Sequence, residues 1–512
     1  MKKTVVVLII IGILSKLSGF MRDISLSFFY GASNISDVYI ISLTIPTIII
    51  AIVGKGIYTG FVPMYTRVEL LESQERAEHY TNNLANFVLI ICGGIFIIGI
   101  FFTEPIVKLF ASGFSGQTLE LAIVFTRISL LGLFFSGLIY VYTAYLQVKN
   151  FFIIPALMGI PANFIVIGSF IVSKQTNIYA LAIGSVVATL SQFLLLLAFS
   201  YKKKYRFQFR FDVNDIHIKK MMILAFPVII GSSVTQINLL IDRTLASYIA
   251  AGGVSALNYA TTINLVVLGV IVNSITSVLY PKISKMASEN NLQGIHKYLS
   301  HAVNFIPIFI LPATVIYLLF PEEIILLLYG RGEFNAQAVA MTSSALFFYS
   351  IGIIGMSYRE LFSNVFYSLQ DTKTPTINAT LSMVLNIILN FVLFRYLGVG
   401  GIALATSISV LFCSFLLWNQ LRKRIGSFDM KSNILSLSKT CIATIAMGGV
   451  SFFSYALLQN HLSSIMALVL SIFFGLIVYI GLILILNIKE VQTIVLRYRR
   501  KSGSGDKVKQ VV

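Results

Sequence analysis

Fourteen long apolar segments take up almost all of this chain, and only short connections are left between them. A helix needs about 20 apolar residues to cross a bilayer. The segments lie near 4–29, 36–64, 80–102, 121–146, 151–173, 177–199, 219–249, 254–280, 298–320, 337–368, 376–394, 398–420, 438–458 and 463–487. Lipid offers no partner to a bare backbone amide, so apolar runs of this length predict an all-α polytopic membrane protein. Composition agrees: 11% of the 512 residues are charged, against about 25% in soluble domains. The opening Met-Lys-Lys and apolar run imitates a secretory leader. The run continues past Gly19 into Arg22 and Asp23, and is read as a retained first helix.

The net charge of +18 is a loop bias, not a nucleic-acid signal. With the N-terminus inside, nearly all lysines and arginines fall in inner loops and tails. The outer loops hold only Lys108, Lys174, Arg331 and Arg395. That asymmetry predicts that both termini are cytoplasmic. Cys92, Cys413 and Cys441 lie inside apolar spans with no metal or pair spacing, and read as small packing residues. The segment from Arg67 to Tyr80 carries both signs of charge and reads as a short interfacial helix. The linker from Tyr201 to Lys220 is basic and aromatic; it suits the anionic inner leaflet, although topology alone would also place cations there. The tail after Ile488 is basic and then Gly/Ser-rich.

The chain repeats itself. Arg22-Asp23 leads to Asp37-Val38-Tyr39 after a turn at Gly31, and Asp242-Arg243 leads to Asn258-Tyr259 after Gly252-Gly253. Gln147 precedes Asn163 as Gln370 precedes Asn386, and Ser185 and Phe193 match Ser407 and Phe415. The offset stays between 218 and 223 residues. Six spans per repeat return the chain to the same side, so the halves are parallel and related by an axis along the membrane normal. The expected domains are an N-lobe at 1–200, a basic linker at 201–218 and a C-lobe at 219–420. A loop at 421–437, two extra spans at 438–487 and a basic tail at 488–512 complete the set.

Charges inside spans are costly, about 2.5–3.5 kcal/mol each on insertion scales, and usually mark a substrate or ion path. Lys16, Arg22 and Asp23 share the first span. Two cations against one acid leave surplus positive charge suited to a diphosphate, whereas a purely structural network would have Asp23 neutralise a cation. Asp242 and Arg243 are neighbours on span seven and point about 100° apart. Arg243 then faces a cavity while Asp242 faces its own lobe. Asp37 near the outer end of span two, Lys55 between two glycines, and Arg359 in span ten are further candidates. Asn386 and Asn390 present two amides on one helix face. With Asp242 and Thr406 they offer a hard oxygen set for a monovalent cation, the alternative being interhelical hydrogen bonding. Prolines 46, 63, 155, 161, 227, 307 and 312 interrupt spans, which suits hinges and static packing equally.

Several runs together carry a resemblance. Ser15 to Asp23, Ser36 to Tyr39, Gly54 to Pro63, Ala246-Ser247 through Tyr259-Ala260, and Phe366 to Pro375 resemble the MurJ/MviN family, lipid II flippases within the multidrug/oligosaccharidyl-lipid/polysaccharide exporter superfamily. The resemblance implies a V-shaped, two-lobed carrier with a cationic central cavity. It gives spans thirteen and fourteen a groove for the polyprenyl tail, and Asp242, Asn386, Asn390 and Thr406 a sodium-binding role, with sodium as coupling or structural ion. Lys16 stands where the family usually has arginine. Ile50, Ala51 and Thr262 replace arginines that the family often carries, and Lys55 replaces a glutamate. The cationic set is thus rearranged.

The resulting expectation is a flippase that carries lipid II from the inner to the outer leaflet of the bacterial inner membrane. Lys16, Arg22, Asp23, Asp37, Lys55, Arg243 and Arg359 are the expected substrate-binding residues. The expected partners are the lipid-linked saccharide, membrane lipids and cell-wall synthesis or division proteins, with no nucleic acid. Alternatives are a flippase for another polyprenyl-linked oligosaccharide, of capsule, O-antigen or other surface polymer, and a drug/cation antiporter of the same superfamily. An integral-membrane glycosyltransferase or acyltransferase lacks any matching loop or nucleotide motif, so no enzyme is expected. A structural role in division would tolerate neutralisation of Arg22 and Lys16.

Overall fold

The computed structural model describes residues 2–203, 205–209, 211–426, 430–488 and 490–492. Lys204 and Arg210 of the basic linker, and all of the basic tail but a few residues, fall outside this description. Among the described residues, seventeen helices run in order. They are α1 (Lys2–Tyr30), α2 (Asn34–Leu71), α3 (Gln74–Phe101), α4 (Thr103–Phe110), α5 (Gly116–Leu130), α6 (Gly132–Val148), α7 (Ile153–Leu157), α8 (Gly159–Gln175) and α9 (Ala180–Lys202). There follow α10 (Ile216–Ile249), α11 (Gly253–Ser288), α12 (Leu292–Leu319), α13 (Pro321–Tyr329), α14 (Ala336–Ser368), α15 (Lys373–Ile425), α16 (Met430–Leu458) and α17 (Ser464–Ile485).

Among the described residues, eleven helices are long and apolar enough to cross a membrane, or twelve if the bent α10 is one span. The sequence suggested fourteen. The difference lies in α1, which is not among the eleven, and in α15, which counts once. At 53 residues, α15 would run to about 80 Å, far beyond the roughly 30 Å of a hydrocarbon core. Gly398, at φ 55° and ψ −131°, breaks it where the two expected spans meet. The α10 halves Ile216–Phe226 and Val228–Ile249 are bent by 47° at the proline between them.

The expected interfacial helix at Arg67–Tyr80 is not a separate element. α2 continues to Leu71 and α3 begins at Gln74, with Ser73 accepting a hydrogen bond from the Arg76 amide at 3.1 Å. The charges sit on the ends of two long helices and pair one turn apart, Arg76 with Glu72 at 3.6 Å and His79 with Glu75 at 3.7 Å.

The chain forms two compact units. The first is Met1–Tyr259 with Tyr329–Met341 and Phe394–Ile402; the second is Ala260–Leu328, Thr342–Leu393 and Ala403–Val512. In the first unit, α2 is the central element and packs on α3, α5, α6 and α10. Its core is aromatic, with Phe61, Tyr65, Tyr80, Tyr145 and Tyr205 fully buried. In the second unit, Leu299, Ile306, Phe362, Phe366 and Leu417 form the core, and α12 packs on α16, which pairs with α17.

The second unit also answers the proline question for α12. A proline leaves the carbonyl four residues earlier without its helical donor. Pro307 frees the Val303 oxygen, which accepts from the Tyr358 hydroxyl at 3.0 Å. Pro312 frees the Ile308 oxygen, which accepts from the Tyr479 hydroxyl at 2.6 Å. Two tyrosines from α14 and α17 thus complete the α12 backbone, which makes these prolines points of packing.

Candidate functional site

The first unit brings the strongest sequence candidates together. α1 places Arg22 and Asp23 side by side, and the long guanidinium folds back onto its neighbour despite their angular separation on the helix. Arg22 Nε and Nη2 donate to Asp23 Oδ1 at 3.0 and 2.8 Å, and Nη1 lies 3.4 Å from Asn163 Oδ1 on α8. Asn163 in turn donates to Ser18 Oγ at 2.9 Å. Asp23 is buried, while 39% of the Arg22 side chain remains exposed. Lys16, one heptad before Asp23, is exposed and makes no hydrogen bond or ion pair among the described residues, so the partner of Asp23 is Arg22. Lys55 is likewise exposed on α2, one turn beyond Ala51.

Asp37 stands in the first turn of α2 and is 1% exposed. Its carboxylate accepts from the Gly252 amide at 2.8 Å, the Ser255 amide at 2.7 Å and the Ser255 hydroxyl at 2.7 Å. These donors open α11, so a side chain more than 200 residues away serves as its N-terminal cap. Unpaired amides and the positive end of the helix dipole favour an anion there. Three charge-assisted bonds offset the cost of burying the carboxylate.

Two turn glycines permit this approach. Gly31 (φ 61°) and Gly252 (φ 86°) occupy the left-handed region. A Cβ on Gly31 would overlap the Glu333 carbonyl oxygen, and one on Gly252 the Ala32 carbonyl oxygen. Further bonds join both sequence repeats at the same end. The Glu333 amide donates to Phe28 O at 3.0 Å, the Gly113 amide to Ser247 Oγ at 3.0 Å, and the Tyr259 hydroxyl to Gly31 O at 3.1 Å. Asn34, Asp37, Ser115, Thr118 and Ser247 also line a polar cavity of about 270 Å³.

Arg243 is buried rather than presented to a cavity. Its Nη1 donates to Val254 O at 2.9 Å and its Nη2 to Asn258 Oδ1 at 2.7 Å, both in the first turns of α11. Arg243 and Asp37 therefore hold the same helix start from two sides. Asp242 is buried in α10.

In the second unit, Asn390 Nδ2 donates to Asn386 Oδ1 at 2.9 Å, and Asn386 Nδ2 donates to Thr406 Oγ1 at 3.2 Å. These three residues form one chain of two amides and a hydroxyl, the neutral oxygen donors that hard cations accept. Arg359 is half-buried on α14, without a hydrogen bond or ion pair among the described residues. No cluster of three His, Cys, Asp or Glu able to hold a metal occurs among the described residues.

Sequence reasoning used Asn163 and Asn258 only as markers of the repeat and did not weigh Ser255. The repeat held part of the signal, since Asn163 is the counterpart of Asn386, whereas Asn258 stands opposite Val38 and has no matching amide. The contact from Asp37 to Ser255, by contrast, spans 218 positions and has no local signature.

Comparison with known proteins bears on the whole of this framework. The family described as "Lipid II flippase MurJ" matches residues 26–474, from the end of α1 into α17. The "Probable lipid II flippase MurJ" of Buchnera aphidicola subsp. Baizongia pistaciae is 27% identical over 426 residues, covering 82% of this chain and 83% of the relative. A solved structure titled "Lipid II flippase MurJ, inward closed conformation" superposes with a TM-score of 0.81 at 25% identity, covering 93% of this chain and 98% of that one. An inward-facing multidrug resistance MATE family transporter of the MOP superfamily shares the fold, with a TM-score of 0.66 at 16% identity over 82% of this chain and 98% of that chain. The chain belongs to the lipid II flippase MurJ family.

Proposed function

We propose that this chain carries lipid II, a polyprenyl-diphosphate-linked saccharide, from the inner to the outer leaflet of the bacterial cytoplasmic membrane by alternating access. The family match from α1 into α17 carries this reading. The work is binding and conformational change, with no covalent step. Arg22 is the foremost diphosphate ligand. It is half-exposed, and its fork is held by Asp23 and Asn163 in a geometry that a phosphate oxygen can compete for. Exposed Lys16 and Lys55 supply point charges for the remaining oxygens and sugar anions. Asp37 and Arg243 belong to closure: they hold the start of α11, and releasing them is a step in opening the end of the molecule that the charge bias puts outside. Membrane potential would bias the cycle, since one charge moved across 100 mV is worth about 2.3 kcal/mol. Both termini are cytoplasmic in this scheme.

The test is complementation of cells depleted of their own lipid II flippase, reading externally accessible lipid II. Wild type restores the signal and Arg22→Ala does not. Failure of a well-expressed wild type would move the cargo to another polyprenyl-linked saccharide, with the substitutions at Ile50, Ala51 and Thr262 as the sequence difference to pursue.

A sodium ion at Asn386, Asn390 and Thr406 is the second reading, favoured by the linked oxygen donors of α15. It predicts a thermal shift on replacing choline with sodium that Asn386→Ala abolishes; an equal shift in the variant would discard the site.

A further inference from the structure

The connection between α9 and α10 is held in an unusual way. Three buried asparagines of α3 grip its backbone. Asn82 donates to Arg206 O and accepts from the Gln208 amide, each at 3.0 Å. Asn86 donates to Gln208 O at 3.0 Å. Asn83 donates to Asp212 O at 3.0 Å and accepts from the Asp212 amide at 2.8 Å. Tyr205 is fully buried and donates to Asn82 at 2.7 Å. The strap therefore climbs one turn of α3, about 6 Å, to the level of Asn86, and then returns to Asn83.

The clamp satisfies the backbone and turns aromatic rings outward. Phe207, Phe209 and Phe211 are 40%, 80% and 43% exposed, and Phe211 stacks on Phe87 at 5.9 Å. Cations flank them. Arg206 is exposed, Lys202 lies over the Phe199 ring at 4.7 Å, and Lys203 lies over Phe151 at 4.0 Å. Of the neighbouring acids, Asp215 caps α10 through the His217 amide at 2.8 Å, Glu72 pairs with His217 at 3.0 Å, and Asp212, exposed in the strap itself, accepts from the Asn214 amide at 2.9 Å. Loop charge bias puts this end of α3 on the inner side. The climb thus points into the bilayer, towards exposed Ile90. Apolar rings deeper than a belt of cations match the chemistry of an anionic leaflet.

We propose that the described residues of this connection, 201–203, 205–209 and 211–215, form a docking strap for anionic phospholipid, with the phenylalanines in the acyl boundary and Lys202, Lys203 and Arg206 on the headgroup phosphates. The strap is separate from the cargo site, so its role does not depend on which saccharide is carried. By anchoring the connection that starts α10, it makes the bent helix responsive to leaflet charge.

The test uses the full chain in vesicles, with Trp418 replaced by Phe and Phe209→Trp as the probe. Brominated phosphatidylcholine and brominated phosphatidylglycerol quench from within the bilayer, and iodide quenches from water. The expected result is strong bromolipid quenching with weak iodide quenching, raised at least about twofold by phosphatidylglycerol. The rise should be lost in K202Q/K203Q/R206Q. Iodide quenching without bromolipid quenching would overturn the proposal and leave the strap to water or a protein. Equal quenching in both lipids would overturn the anionic preference. Phe207→Trp repeats the measurement should the first variant express poorly.

Discussion

Arg22 and Arg243 arise from matching charged pairs of the two sequence repeats, yet the fold uses them differently. Arg22 stays half-exposed and bonds to its own neighbour and to Asn163, a repeat marker turned ligand. Arg243 is buried and spends its fork on the backbone and side chain of α11. The repeat-related asparagines diverge as well: Asn163 holds Arg22 and Ser18, and Asn386 holds Thr406 and Asn390. A duplicated motif therefore preserves the chemistry available at a place without preserving its task. One copy leaves a cation half-exposed, and the other fastens a helix start.

The sharpest break of this comparison is Asp37→Asn. The amide must turn one NH2 towards donors at Gly252 or Ser255, and each disrupted charge-assisted bond costs about 1.5–3 kcal/mol. Closure should loosen, and a cysteine placed at Ala32 should react faster with an impermeant maleimide than in wild type. An unchanged rate would remove Asp37 from closure.

Next in size is Arg243→Ala, which removes the buried donors to the Val254 oxygen and Asn258 Oδ1. A loss of about 2–4 kcal/mol in thermal stability is expected. Lysine should recover little, because it lacks the fork. Arg22→Ala should do the reverse, abolishing externalised lipid II with a smaller loss of stability than Arg243→Ala, because its side chain is half-exposed, and Arg22→Lys should restore part of the transport. If both arginines moved stability and transport alike, the division of labour would be wrong.

Tyr479→Phe should cost about 1–2 kcal/mol, since it leaves the carbonyl freed by Pro312 unpaired. The smallest effect concerns Asp371, in the turn before α15. Burial raises its pKa, but the Thr374 amide and hydroxyl and Arg424 at 2.5 Å outweigh this and hold it below the usual carboxylate range. A depressed folded value stabilises above the unfolded pKa and fades as pH falls. Asp371→Asn should therefore melt earlier at neutral pH, by about 1 kcal/mol. The gap should narrow below about pH 4. A gap independent of pH would assign the loss to helix capping alone.

Much of this was legible beforehand. Apolar length alone requires helices, because a bilayer leaves no other way to satisfy the backbone. The repeat and the intramembrane charges named Arg22, Asp23 and Asp37 before any coordinate. The misreadings were local. Charges at Arg67–Tyr80 looked like an interfacial helix because polarity marks where a span leaves the lipid, not where a helix ends. Prolines were ambiguous because the partner of a freed carbonyl lies on another helix.

What the sequence determined by itself is the kind of molecule: a repeated all-helical membrane carrier with surplus cations in its first span. Periodicity, charge and hydropathy are properties of neighbouring residues, so they survive without a fold. Tertiary structure alone decided that Asp37 caps α11, that Arg243 is buried beside it, and that three asparagines of α3 clamp a strap more than 120 residues away. Each rests on hydrogen bonds between separate elements, and their strength comes from desolvation and geometry that exist only once the helices have packed.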